Sequence, residues 1–76
     1  MKAEKMLKKL DYLKDKETHY GALISYTKYC IDGCCIYNEL IFYKNGFSTD
    51  ETFISLDLLN AINKQIEELG WLDEQS

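Results

Sequence analysis

The strongest constraint on the fold is a pair of residue runs, rich in Ile, Tyr, Thr and Phe, that flank Asp32-Gly33. Aromatic and β-branched residues favour strands, and Asp-Gly is a preferred pair for the tight turn of a hairpin. The two runs extend over about residues 21–31 and 34–43. We therefore expect two antiparallel strands that are neighbours in one sheet.

A third strand and a first helix are predicted on either side of this hairpin. Lys44-Asn45-Gly46 is a second turn signal, and a weaker strand follows over about residues 47–56. Residues 2–16 carry apolar side chains at helical spacing, with Lys and Glu on the opposite face. The three strands are expected to form an antiparallel meander.

A second amphipathic helix is predicted over about residues 56–69, and its ends carry clear signals. Ser55 is a favoured N-cap residue, and Gly70 suits the left-handed position that ends a helix. Trp71 is expected to fold back onto Ile66, and the tail 73–76 is expected to fray. The whole chain, 1–76, is thus predicted to be a single small α+β domain of order α-β-β-β-α, with both helices packed on one face of the sheet.

The register of the hairpin has two solutions. A simple two-residue turn places Cys30 opposite Cys35, whereas a turn with a glycine bulge places Cys30 opposite Cys34. The sequence is compatible with both registers. In both cases side chains alternate between the two faces of the second strand. We expect the more aliphatic, uncharged set to face the core: Cys34, Ile36, Asn38, Leu40 and Phe42.

The opposite sheet face is expected to be open, because two helices cover only one side. A patch of large amphipathic side chains with a polar rim is typical of protein interfaces, although half-buried tyrosines are also ordinary on antiparallel sheets. The acidic loop after the second turn adds two further candidates. The candidate partner-binding residues are therefore Tyr37, Glu39, Ile41, Tyr43, Asp50 and Glu51.

The three cysteines, all within residues 30–35, are expected to be free thiols. A structural zinc site needs four ligands, and adjacent Cys34 and Cys35 point to opposite sheet faces, so no metal site is expected. An odd cysteine count and an N-terminus without a continuous apolar segment predict a cytoplasmic protein. A disulfide from Cys30 to Cys34 or Cys35 fits the hairpin but is not expected in a reducing compartment. Cys34 is interpreted as a small core residue.

No catalytic residue and no cofactor are predicted. His19 is the only histidine, and eleven residues of extended chain place it about 36 Å from Cys30. A general base must lie within roughly 3 Å of the proton that it removes. The glycines form no phosphate-binding loop. The sequence thus indicates a protein that is not an enzyme.

The charge distribution argues against nucleic-acid and membrane partners. The net charge is −4, but residues 1–16 hold six lysines against three acids, whereas residues 17–76 carry a net charge of −7. The bulk of the chain would repel phosphates, and it has no arginine to read guanine. No apolar run is long enough to span a membrane.

The sequence therefore predicts a small, acidic, non-enzymatic protein-interaction module. All nine basic residues are lysine, and Ile, Asn and Tyr are abundant, a bias typical of AT-rich coding sequences in low-GC bacteria, phages and plasmids. This bias suggests a phage or mobile-element accessory protein that binds and modulates a host protein. The alternatives are a structural homodimer joined through the open sheet face, and nucleic-acid binding through the Lys-rich N-terminal helix.

Overall fold

The computed structural model describes residues 1–18 and 20–70, which form a four-stranded antiparallel sheet and two helices. The strands follow chain order in the sheet, β1-β2-β3-β4. The elements are α1 (Ala3–Lys8), β1 (Leu13–Lys14), β2 (Ala22–Tyr29), β3 (Ile36–Tyr43), β4 (Gly46–Thr49) and α2 (Leu56–Leu69). The predicted α+β class with an antiparallel sheet is confirmed, but the sheet has a fourth strand. His19, Trp71 and the tail 73–76 lie outside the described residues.

The first helix is much shorter than the predicted span of 2–16. It ends at Lys8, and Asp11 takes a left-handed backbone conformation with φ of 69°. Asp is one of the few residues other than Gly that tolerates this region, and it reverses the chain direction here. The chain then places Tyr12 in the core and pairs Leu13 with Thr27 of β2. The predicted helix is thus wrong beyond Lys8.

The second helix has the bounds that its end signals predict. The Ser55 hydroxyl accepts a hydrogen bond from the Leu58 N–H at 3.1 Å. Gly70 is left-handed, with φ of 78°, and its N–H donates to the carbonyl of Glu67. The predicted third strand, 47–56, is wrong over its second half, because β4 ends at Thr49 and residues 50–55 form the connection to α2.

The core lies between the two helices and one face of the sheet. The Phe42 ring stacks on Phe47 at a centroid distance of 5.3 Å and meets the edge of Tyr26 at 6.3 Å. The N-terminus of α1 is held to α2 because the Ala3 N–H donates to the Glu68 carboxylate at 2.7 Å. The buried apolar residues of this core are Leu7, Tyr12, Tyr26, Leu40, Phe42, Leu58, Ala61 and Ile62.

The set predicted to face the core does so only in part. Asn38, Leu40 and Phe42 are buried, whereas Ile36 and Cys34 are exposed. Both exceptions lie at the turn end of the hairpin, where neither α1 nor α2 covers the sheet. The prediction that Cys34 is a core residue is therefore wrong.

The register of the hairpin changes along its length. Lys28 lies opposite Asn38, but the next pair is Tyr29 opposite Ile36, so Tyr37 is an extra residue in β3. This β-bulge gives the turn end the pairing of the simple register, with Cys30 opposite Cys35, and shifts the pairing by one residue from Lys28 back to Ile24. A second irregularity between Ala22 and Ile24 restores the simple register, with Ala22 opposite Tyr43. The turn itself is broader than Asp32-Gly33, because the left-handed Gly33 donates its N–H to the carbonyl of Cys30 at 2.8 Å.

Within the described residues, no helix is both long and apolar enough to cross a membrane.

Candidate functional site

Cys30 and Cys35 form a disulfide that closes the loop between β2 and β3. Their Cα atoms lie 5.5 Å apart, within the range that a disulfide requires, and the Cys30 N–H donates to the Cys35 carbonyl at 2.9 Å. The expectation of free thiols is thus wrong for these two residues, because the register places them directly opposite each other. Cys34 keeps its thiol and is exposed.

The loop closed by this disulfide and the strand ends on either side of it present a concentration of exposed apolar side chains. We call residues 29–37 the hairpin tip. Ile31 is fully exposed, and Ile36 and Tyr37 expose 55% and 64% of their surface. Tyr29, directly opposite Ile36, exposes 47%. Exposed apolar residues are normally scattered singly, so four of them on one short hairpin end form a patch that needs an explanation.

Polar contacts within the loop fix the shape of the hairpin tip. The Asp32 carboxylate accepts a hydrogen bond from the Cys34 N–H at 2.9 Å. Gly33 provides the left-handed backbone position, with φ of 74°. Together with the disulfide, these contacts give a defined conformation to the loop that carries Ile31 and joins the strand ends that carry the other three apolar side chains.

The β-bulge places Tyr37 apart from the open sheet face on which it was predicted. The ammonium group of Lys28 lies 5.3 Å from the centre of the Tyr37 ring and 5.8 Å from the centre of the Tyr12 ring. Tyr12 belongs to the core on the helix side of the sheet. Tyr37 therefore joins a cluster on that side, which the alternation of a regular strand could not predict.

Glu51 belongs to the same cluster. The Tyr12 hydroxyl donates to the Glu51 carboxylate at 3.1 Å. Burial raises the pKa of Tyr12, and the negative charge of Glu51 raises that pKa further. The neighbouring Asp50 is exposed, and its N–H donates to the side-chain carbonyl of Asn38 at 3.2 Å. The two acidic candidates therefore lie in different places. Glu51 is hydrogen-bonded to the core residue Tyr12, whereas Asp50 lies at the edge of the sheet.

The sheet face predicted to be open carries the other candidates, Glu39, Ile41 and Tyr43, and all three are half-buried. Ser25 lies opposite Ile41 on this face and is completely buried. The predicted open face is therefore narrower than expected, and the structure divides the six candidate residues between two faces and an edge.

Asp15 organises the covered part of that face. Its carboxylate accepts hydrogen bonds from the Ser25 hydroxyl at 2.6 Å and from the Thr27 hydroxyl at 2.7 Å. The Asp15 N–H also donates to the Ser25 carbonyl at 3.0 Å. The segment after β1 therefore shields the outer half of the sheet, which the prediction of a long first helix could not show.

A groove of about 490 Å³ lies beside the hairpin tip. We call it the basic groove, because two ammonium groups and one carboxylate line it. Its lining residues are Lys8, Asp11, Leu13, Lys28, Tyr29 and Ile31. The groove exists because the chain reverses at Asp11 and β1 begins only at Leu13.

The described ranges, 1–18 and 20–70, contain no group of three or more His, Cys, Asp or Glu side chains that could hold a metal ion. The arrangement at the hairpin tip suits contact with another molecule: exposed aromatic and aliphatic side chains on a fixed loop, next to a basic groove. Comparisons of the chain with protein-family models, curated proteins and solved structures found no match.

Proposed function

We propose that this protein is a protein-interaction module that binds its partner through the hairpin tip. The observation that carries the proposal is the set of four exposed apolar side chains at the hairpin tip: Ile31 lies inside the loop that the Cys30–Cys35 disulfide closes, and Tyr29, Ile36 and Tyr37 lie on the strand ends next to it. Aromatic anchors such as Tyr supply much of the binding energy of protein interfaces, and the fully buried centre of an interface is more apolar than its rim. A loop already held in its bound shape loses less conformational entropy on binding.

The disulfide also bears on where the protein works. Cytosolic thiols are kept reduced, and persistent disulfides are a feature of oxidising compartments. We therefore favour an oxidising environment over the cytoplasmic location expected from the sequence. The amino-acid composition, rich in Lys, Ile, Asn and Tyr and without Arg, still supports an accessory protein of a phage or plasmid, which would act on a host protein exposed in that environment.

A homodimer joined through the sheet face has less support. Its expected surface is reduced by the segment around Asp15, and Ile41 and Tyr43 are already half-buried in the monomer. Nucleic-acid binding through α1 is also weakened, because the helix has only six residues and its length limits the number of lysines on one face.

The test is affinity capture of partners with tagged protein under oxidising conditions. The tip variant Ile31→Asp with Ile36→Asp places two charges in the apolar patch. The matched control is Phe53→Asp with Leu56→Asp, since these residues expose 78% and 77% of their surface elsewhere on the chain. We expect specific partners to be captured by the wild type and by the control, and to be lost with the tip variant.

Two results would contradict the proposal. One is a partner that the tip variant captures as well as the wild type does. The other is capture that the control variant abolishes while the tip variant leaves it unchanged, which would move the interface to the loop before α2.

A further inference from the structure

We infer that the basic groove binds an extended, acidic peptide segment of the partner. This inference rests on the proposed function, because it adds a second contact beside the hairpin tip. It specifies the chemistry of the partner: carboxylates that meet the lysines of the groove, alternating with apolar side chains that meet its floor.

The floor of the groove is apolar and continuous with the hairpin tip. Leu13 exposes 47% of its surface although it lies in a strand, and Tyr29 and Ile31 belong to both the groove and the tip. A ligand in the groove would therefore also touch the patch that we propose as the docking surface. Burial of these side chains would supply binding energy in proportion to the apolar area removed from water.

The charge of the groove selects an acidic ligand. Among the described residues, neither Lys8 nor Lys28 forms a salt bridge with a carboxylate. Lys28 is held in place by the rings of Tyr12 and Tyr37, so its position does not need to be fixed when a ligand binds. Asp11 is the one acidic residue among the described residues that line the groove.

The rest of the chain favours a short acidic segment over a nucleic acid. Residues 17–76 carry a net charge of −7. A long polyanion would extend beyond the groove and meet this acidic surface, at a cost that rises with each phosphate. A peptide with a few carboxylates can place all of them near the lysines.

The wall of the groove offers backbone groups to an extended ligand. The Ser25 carbonyl points toward β1, where it accepts the Asp15 N–H, and the Cys30 N–H points toward β3. Because these directions alternate along a strand, the N–H and C=O of Tyr29 point to the same side as those of Ser25. β1 pairs only as far as Thr27, so no described residue pairs with this edge of β2 next to the groove. An added strand can pair at such an edge.

The experiment selects binders from a display library of short random peptides on the oxidised protein, residues 1–76. We expect enrichment of peptides in which Asp or Glu alternates with large apolar residues. A synthetic selected peptide is then titrated against point variants. Lys8→Gln should weaken its binding by about two- to fivefold, as for the loss of one partly exposed ion pair.

Two further variants test whether the charge of the groove determines its affinity for the peptide. Asp11→Asn removes the one negative charge of the groove and keeps a residue that tolerates the left-handed backbone, so binding should tighten. Lys44→Gln removes the same charge as Lys8→Gln in the turn between β3 and β4. It should leave the affinity unchanged beyond a small, long-range effect.

The contrary outcomes separate this inference from the proposed function. Selected peptides without acidic enrichment, or a library without binders, would overturn the groove inference while partner capture still tests the hairpin tip. Binding that Lys8→Gln and Lys44→Gln weaken equally would also overturn it. A single-stranded oligonucleotide that binds more tightly than the selected peptide, and in a Lys8-dependent way, would replace the acidic peptide as the ligand.

Discussion

Cys30 and Cys35 lie directly opposite each other across the β2–β3 hairpin and are joined by a disulfide, five positions apart in the sequence. The four large apolar side chains of the hairpin tip lie inside this link or next to it. Without the disulfide, this loop would sample many conformations, and its apolar side chains would pack poorly against a partner. The disulfide thus connects the local fold to the proposed role in binding.

Removal of the disulfide should destabilise the protein moderately. Cys30→Ala with Cys35→Ala opens a loop of only a few residues, so chain entropy predicts a loss of about 2 kcal/mol in the free energy of unfolding. Denaturant titration measures the change, and a reducing agent should have the same effect on the wild type. The control is Cys34→Ala, which should be neutral because Cys34 is exposed and outside the disulfide. A double variant as stable as the wild type would contradict this account of the loop.

The buried hydrogen bond between Tyr26 and Gln65 should contribute to stability. The Tyr26 hydroxyl donates to the side-chain carbonyl of Gln65, and both residues are buried. Gln65→Leu leaves the hydroxyl without an acceptor, which should cost about 1–3 kcal/mol. Tyr26→Phe combined with Gln65→Leu should cost less than the two single changes together. Additive costs in this double-mutant cycle would show that the bond contributes nothing.

Stability should fall at high pH because of Tyr26. Burial raises the pKa of Tyr26 from 10.0 to about 12, and the charges of Glu4 and Glu68 add to the shift. The folded state therefore holds this proton more tightly than the unfolded state. The resulting stabilisation is complete below pH 10 and is lost as the pH rises to about 12. Chemical denaturation across this range should show a smaller decline for Tyr26→Phe than for the wild type. Equal declines would contradict the assignment.

Asp15 should be more important for stability than its place near the surface suggests. Asp15→Ala removes the acceptor of two hydroxyls, those of Ser25 and Thr27, and both of these residues are buried. We expect a loss of about 3 kcal/mol, since hydrogen bonds to a charged group are among the stronger ones. The matched control is Glu17→Ala, an exposed carboxylate two residues away. Thermal or denaturant unfolding that does not distinguish the two variants would contradict this role.

The elements with strong local signals were predictable from the sequence. The α2 helix has both its bounds and its end residues as expected, because Ser55 and Gly70 each fix the backbone by a local interaction. The β2–β3 hairpin was also predictable, since β-forming residues flank a turn signal. In both cases the deciding interactions lie between residues close in the sequence.

The turn at Asp11 could not be predicted by the same reasoning. The apolar stripe of α1 continues through Leu10 and Leu13, and neither Gly nor Pro interrupts it. The helix ends because Tyr12 is buried in a core that Phe42 and Ile62 complete from distant parts of the chain. A tertiary contact overrides the local periodicity here, as packing often does for intrinsic propensity.

The sequence identified only part of the candidate site, because the rest depends on how the two strands of the hairpin pair. The sequence indicated that the stretch around Asp32-Gly33 is a turn, and Tyr37 was among the candidate residues. The bulge at Tyr37 and the pairing of Cys30 with Cys35 depend on the register, which the sequence left open. The expected reducing cytoplasm then argued against the Cys30–Cys35 disulfide, although the geometry of the hairpin allows it.

The most direct test of the central claim is site-specific photo-crosslinking in cells that produce the protein. A photoreactive phenylalanine analogue is placed at Ile31, in the hairpin tip, or at Asn63, on the exposed face of α2. We predict a discrete crosslinked adduct with another protein from position 31 and none from position 63. No adduct at position 31, or the same adducts at both positions, would contradict the proposal that the hairpin tip is the docking surface.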